Sequence, residues 1–116
     1  MRYEEFQCED AEYLLIAYGT SARVCQKSVQ IAREQGLKVG LLRPITLFPF
    51  PSERINELSD KVKGILSVEM SAGQMVEDIQ LSVGCKVPVK HFGRMGGIVT
   101  TPDEVVEFLK LNIIKG

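Results

Sequence analysis

Any chemistry in this chain would have to come from few residues: Cys8, Cys25 and Cys85, one histidine at His91, and three glycine-bearing turns. A zinc or iron–sulfur site takes about four soft ligands, usually in close pairs. The cysteines here are widely spaced and no C-x-x-C occurs, so the chain does not build such a site alone. An odd count without a framework fits a reducing cytoplasm. Cys25, on what reads as a helix face, is expected as a core filler. Gly19-Thr20-Ser21 joins an apolar run to a helical pattern, where an open α/β sheet takes its ligand and where free amides suit an anion. Gly73-Gln74 follows Glu69 in a similar strand-to-helix turn, and Arg94 in Gly93-Arg94-Met95-Gly96-Gly97 could hold an anion. Each feature also has a plain reading: helix capping, a solvated carboxylate, a tight glycine loop. The dinucleotide fingerprint and the P-loop lysine are both absent. Glu69, Glu77 and Asp78 make no acid–base pair, and no Ser-His-Asp signature is present. These residues point away from a self-sufficient enzyme.

The segment Arg43-Pro44-Ile45-Thr46-Leu47-Phe48-Pro49-Phe50-Pro51 is the most unusual in the chain. Proline fixes φ and removes a backbone donor, so Pro44, Pro49 and Pro51 argue against a helix and against a central strand. Most connections are polar and mobile, whereas this one is stiff and aromatic. One reading makes its phenylalanines a cap on the domain's own core. The other makes Arg43, Phe48 and Phe50 a preformed contact surface for another domain, for another subunit or for a second copy.

Positioning such residues is the work of the surrounding elements. Tyr13 to Tyr18 is a short apolar run that reads as a strand buried on both faces. Thr20 or Ser21 caps a helix reaching about Gln35, with Cys25, Val29 and Ala32 on one face and a stop at Gly36. Leu37 to Leu42 reads as the second strand, Ser52 to Leu58 as a short helix, and Gly64 to Met70 as the third strand. Ser71 and Gln74 have capping-box spacing for a helix carrying Met75, Val76, Ile79 and Val83 and ending near Gly84. Val87 to Phe92 is the next strand, placed by Pro88 at a sheet edge or a strand start. Thr101-Pro102-Asp103-Glu104 opens a last helix running to about Ile114, with Val105, Phe108, Leu109 and Asn112 on one side. Alternating strands and helices predict a mostly parallel sheet covered on both sides, an open α/β sandwich. Residues 1–12, acidic and without periodicity, are expected as an incoming linker, and 13–116 as the domain.

Composition sets the outer limits. The 116 residues suit one domain with one core. Hydrophobic residues make up 45% and charged residues 25%, a soluble globular balance. The net charge of -1, with scattered Lys and Arg, gives no reason to expect a nucleic-acid partner. No apolar run approaches the ~18 residues that span a bilayer, and Met1 to Phe6 does not read as a signal peptide, so no membrane partner is expected.

Three stretches together are more specific than any one motif: Ile16-Ala17-Tyr18-Gly19-Thr20, then Val39 through Pro51, then Leu66-Ser67-Val68-Glu69-Met70-Ser71-Ala72-Gly73-Gln74. With Phe92-Gly93-Arg94-Met95-Gly96-Gly97, they resemble the C-terminal domain of a thiamine-diphosphate-dependent 2-oxoacid:ferredoxin oxidoreductase subunit, of the 2-oxoisovalerate or 2-oxoglutarate type. The resemblance runs from about Ala11 to Leu111. It implies a transketolase C-terminal-like fold, a three-layer α/β/α sandwich with one strand opposed to the others, which the periodicity does not show. It also implies membership of a complex that decarboxylates a 2-oxoacid, reduces ferredoxin and leaves an acyl-coenzyme A. Thiamine diphosphate, Mg²⁺ and iron–sulfur clusters would lie in other domains or subunits, since neither a Gly-Asp-Gly signature nor a cysteine cluster occurs here. The expectation is a non-catalytic structural and interface domain with no cofactor of its own. The alternative is a free-standing α/β module binding a small anion at Gly19, Thr20, Gly73, Gln74 and Arg94.

Overall fold

The computed structural model describes residues 3–17, 20–44, 52–68, 74–84, 86–92 and 101–114. Its strands are β1 (Tyr3–Phe6), β2 (Tyr13–Ala17), β3 (Val39–Pro44), β4 (Gly64–Val68) and β5 (Val89–Phe92). Its helices are α1 (Thr20–Glu34), α2 (Ser52–Ser59), α3 (Gln74–Val83) and α4 (Pro102–Leu109), the last continuing as a π-helical turn over Lys110–Ile114.

The strands lie in the order β1-β3-β2-β4-β5. β2, β3, β4 and β5 are parallel, with Leu15 beside both Leu41 and Leu66. Side chains alternate along a strand, so β2 feeds two cores at once. Leu15 and Ala17 join Leu41, Leu66 and Val68 beneath Cys25 and Val29 of α1 and Val105 and Leu109 of α4. Leu14 and Ile16 join Leu42 and Ile65 beneath Ile55 and Leu58 of α2 and Ile79 and Val83 of α3. Two helices on each face of one sheet make the α/β/α sandwich. Each fully buried Leu or Ile contributes roughly 1.5–3 kcal/mol, which is why the apolar runs become the central strands.

The amino end departs from the expected linker. Tyr3–Phe6 is β1, the one antiparallel strand among those described, paired from Tyr3↔Pro44 to Phe6↔Leu41. Its acidic look is misleading, because its charges are matched from afar. Arg43 Nη1 lies 3.1 Å from Glu4 Oε1, and Arg54 holds both oxygens of Glu5. Phe6 packs against the core beneath α1 and α4. This is the opposed strand that the family resemblance implied.

Pro44 is a second correction, since it ends β3, a strand with neighbours on both sides. The β2 register reaches only Leu42, so Pro44 pairs with β1 alone, at a strand end where a missing N–H is tolerated. Gly40 lets the turn after β1 close down on β3. A Cβ there would sit 2.9 Å from Gln7 O and 3.0 Å from Cys8 Cα, which are backbone atoms with little freedom to yield.

Candidate functional site: the carboxyl edge of the sheet

The four parallel strands all end at the same edge, at Ala17, Pro44, Val68 and Phe92. The residues singled out in the sequence follow those ends along the chain. Gly19 follows β2, Phe48 and Phe50 follow β3, Gly73 follows β4 and Arg94 follows β5. All five lie outside the described residues, as does Cys85. Thr20 and Gln74 are the first residues of α1 and α3, placed there by their backbone.

Arg43 is described, and its guanidinium is already engaged with Glu4 across the β1–β3 pair. At the start of α4 the Thr101 hydroxyl accepts from the Glu104 amide at 3.3 Å, with Pro102 next, so this helix opens as its capping box dictates.

The thiols are held away from chemistry. Cys25 is fully buried beneath α1, and burial pushes its thiol up to about 12. Cys8 is buried on the α2–α3 side, where its S–H donates to Leu41 O at 3.3 Å. Burial, helped by the negative charge of Glu5, pushes it up to about 11. A neutral buried thiol is a poor nucleophile and a poor metal ligand. The two sulfurs also sit in cores on opposite faces of the sheet. The described residues therefore do not fit an iron–sulfur cluster. None of them form a group of three or more His, Cys, Asp or Glu arranged to hold a metal ion.

Charged side chains mostly tie elements together. Arg33, at the end of α1, donates to Asp10 at 2.8 Å, to Gln7 O at 2.8 Å and to Val39 O at 3.1 Å. That fork stabilises the β1–β2 turn, where Gln7 takes a left-handed φ of 59°. Sequence reasoning named His91 but missed its pairing with Ser67. They are register neighbours on β4 and β5, and Ser67 Oγ and His91 Nδ1 are both buried without a hydrogen-bond partner. Only the strand register reveals that neighbourhood, and a lone histidine in an apolar run gives no signal of it. No described helix is long and apolar enough to cross a membrane.

An α/β/α sandwich with an opposed first strand defines a fold of the transketolase C-terminal class. The chain belongs to the pyruvate:ferredoxin oxidoreductase core domain II family, whose model matches residues 11–105. It is 59% identical over 97 residues to the ketoisovalerate oxidoreductase subunit VorB of Methanothermobacter marburgensis, covering 84% of this chain and 27% of that protein. It is 32% identical over 98 residues to the 2-oxoglutarate synthase subunit KorA of the same organism, covering 84% of this chain and 26% of that protein. Among solved structures, it superposes with a TM-score of 0.84 and 25% identity on a 2-oxoglutarate:ferredoxin oxidoreductase from Magnetococcus marinus with 2-oxoglutarate, coenzyme A and succinyl-CoA bound. That match covers 97% of this chain and 20% of the other. A split-gene transketolase, an inactive β4 tetramer, superposes at 0.83 with 14% identity and shows the shared fold. The chain thus spans under a third of the curated relatives' length.

Proposed function

We propose that this chain serves as a structural and interface domain of a cytoplasmic 2-oxoacid:ferredoxin oxidoreductase, with the chemistry carried by other domains or subunits. The observation that carries the reading is the family match over residues 11–105. It is supported by the inward use of Cys8, Cys25, Arg33 and Arg43, which leaves the described residues no assembled reaction centre. Thiamine diphosphate with Mg²⁺ would supply decarboxylation, and iron–sulfur clusters electron transfer, both outside this chain. The closer likeness to a ketoisovalerate oxidoreductase subunit than to a 2-oxoglutarate one favours a branched-chain 2-oxoacid as substrate of the whole complex.

Within that complex, Phe48 and Phe50 are proposed as aromatic anchors, since a loop stiffened by prolines loses less entropy on docking. The test has two arms. Calorimetry of this chain with thiamine diphosphate and Mg²⁺ is expected to show no binding; a micromolar, Mg²⁺-dependent affinity would overturn the reading. Phe48→Ser and Phe50→Ser, made separately, are expected to include at least one variant that keeps the domain folded and weakens complex assembly. Unfolding by both, with no further effect on assembly, would make the loop a core cap instead.

A further inference from the structure

The two edges of the sheet are built differently. The β1 edge is covered with matched charges, Glu4 with Arg43 and Glu5 with Arg54, a common way of closing a sheet to newcomers. At the other edge, β5 has β4 as its one neighbour among the described strands. The Ile65 amide donates to Pro88 O at 2.9 Å. In a parallel pair, alternate residues direct both backbone groups to the same neighbour, so Lys90 bonds toward β4. Val89 and His91 then turn their N–H and C=O groups outward.

Apolar surface flanks this edge on both faces. On the α3 side, Leu81 is 82% exposed and lines an open groove of about 860 Å³ with Val87, Pro88 and Val89. Glu77 and Lys86 both line it; Lys86 is paired with Asp60 at 2.8 Å, whereas Glu77 has no ion pair with a described residue. On the α4 side, the Phe92 and Phe108 rings meet at a tilt of 53° with centroids 4.7 Å apart, beside Leu111, which is 61% exposed. Asp103 and Glu107 form the rim there, with Lys110 3.7 Å from Glu107. The one cation on β5 is the exposed Lys90.

We propose that β5 is an acceptor edge that takes a further strand. Its occupant is an extended segment from elsewhere in the same oxidoreductase subunit, apolar on both faces and carrying a Lys or Arg. This rests on reading the chain as one domain of a longer subunit. A strand sends successive side chains to opposite faces, so a single extended segment reaches the Leu81 groove and the Phe92–Phe108–Leu111 surface together, whereas a helix would cover one. Relatives carry more than two-thirds of their length outside the matched region, which provides such a segment. Glu77 and Asp103, which have no ion pair among the described residues, favour a cationic occupant. They disfavour a second copy, because a two-fold pairing brings the same carboxylates from both sides.

Hydrogen exchange at Val89 and His91 tests this, compared between this chain alone and the complete subunit that carries it. We expect both amides to exchange at least about tenfold more slowly in the complete subunit. Leu81→Lys should leave the thermal transition of the isolated chain unchanged and remove much of that protection. Equal exchange in both forms overturns the proposal, as does protection that grows with the concentration of the isolated chain, which would indicate a second copy. A complete subunit that assembles and turns over a 2-oxoacid with both amides unprotected defeats this inference and leaves the domain reading intact. A chain found in no larger oxidoreductase defeats both.

Discussion

Arg54 closes on both carboxylate oxygens of Glu5, with Nη2 2.9 Å from Oε1, and fastens α2 to β1. The Glu5 carboxylate raises the Arg54 pKa by direct hydrogen bonding, so the guanidinium stays charged. Two charge-assisted bonds at a partly buried site outweigh an ordinary surface pair. Arg54→Ala is expected to lose about 1–2 kcal/mol in denaturant unfolding. Exchange should accelerate at Tyr3–Phe6 before it does in β2 or β4. An unchanged β1 would show that the bridge holds little.

Gly64 faces Ile113 of the π-helical turn, and a Cβ at Gly64 would overlap Ile113 Cγ2. Gly64→Ala should cost about 1–3 kcal/mol by overpacking. Ile113→Ala opens space at that point and should offset part of this cost, so the double variant is expected to be more stable than the sum of the singles. Strict additivity in chemical denaturation would refute the contact.

Two buried serines should respond in opposite ways. The Ser28 hydroxyl lies 2.9 Å from Val24 O and 3.1 Å from Pro102 O, joining α1 to α4, so Ser28→Ala should lose about 1 kcal/mol. Ser67 is as deeply buried but has no partner, so Ser67→Ala should be neutral or mildly stabilising. A loss at Ser67 equal to that at Ser28 would mean that its hydroxyl is in fact satisfied.

The thiols set an alkaline limit. Folded values of about 11 for Cys8 and about 12 for Cys25 lie above the ordinary value, so neither affects stability while both states stay protonated. As pH rises past the ordinary thiol range, the unfolded chain ionises first, and stability should fall until the folded thiols ionise as well. Cys25→Ala should flatten part of that decline in melting temperatures between neutral and alkaline pH. Asp10 and Glu12 act at the other end, held low by hydrogen bonds from Arg33 and Lys63. Their small contribution is full above the ordinary carboxylate range and fades as pH falls through it.

Periodicity was enough for the parallel strands and for the stripe of Cys25, Val29 and Ala32, because burial on a face leaves a repeating mark. It failed at β1, where four residues carry two glutamates whose partners lie 39 and 49 positions away. It misjudged Pro44, because tolerance of proline depends on how far each neighbour's register extends. Topology explains why the strand ends that precede the proposed turn residues share one edge of the sheet, as those strands are parallel. The Ser67–His91 pair and the single neighbour of β5 among the described strands are properties of register and strand order. No local pattern carries them.

The position of β1 also has a kinetic consequence. It precedes the other described elements in sequence, yet its partner β3 follows only after β2 and α1. Closing that long interval is favourable once β3 already lies against β2, so β1 is expected to join late, after the rate-limiting step. Interactions formed after the transition state act mainly on unfolding. Strand β1 is thus expected to govern how long the finished sheet lasts, and to contribute little to how fast it forms.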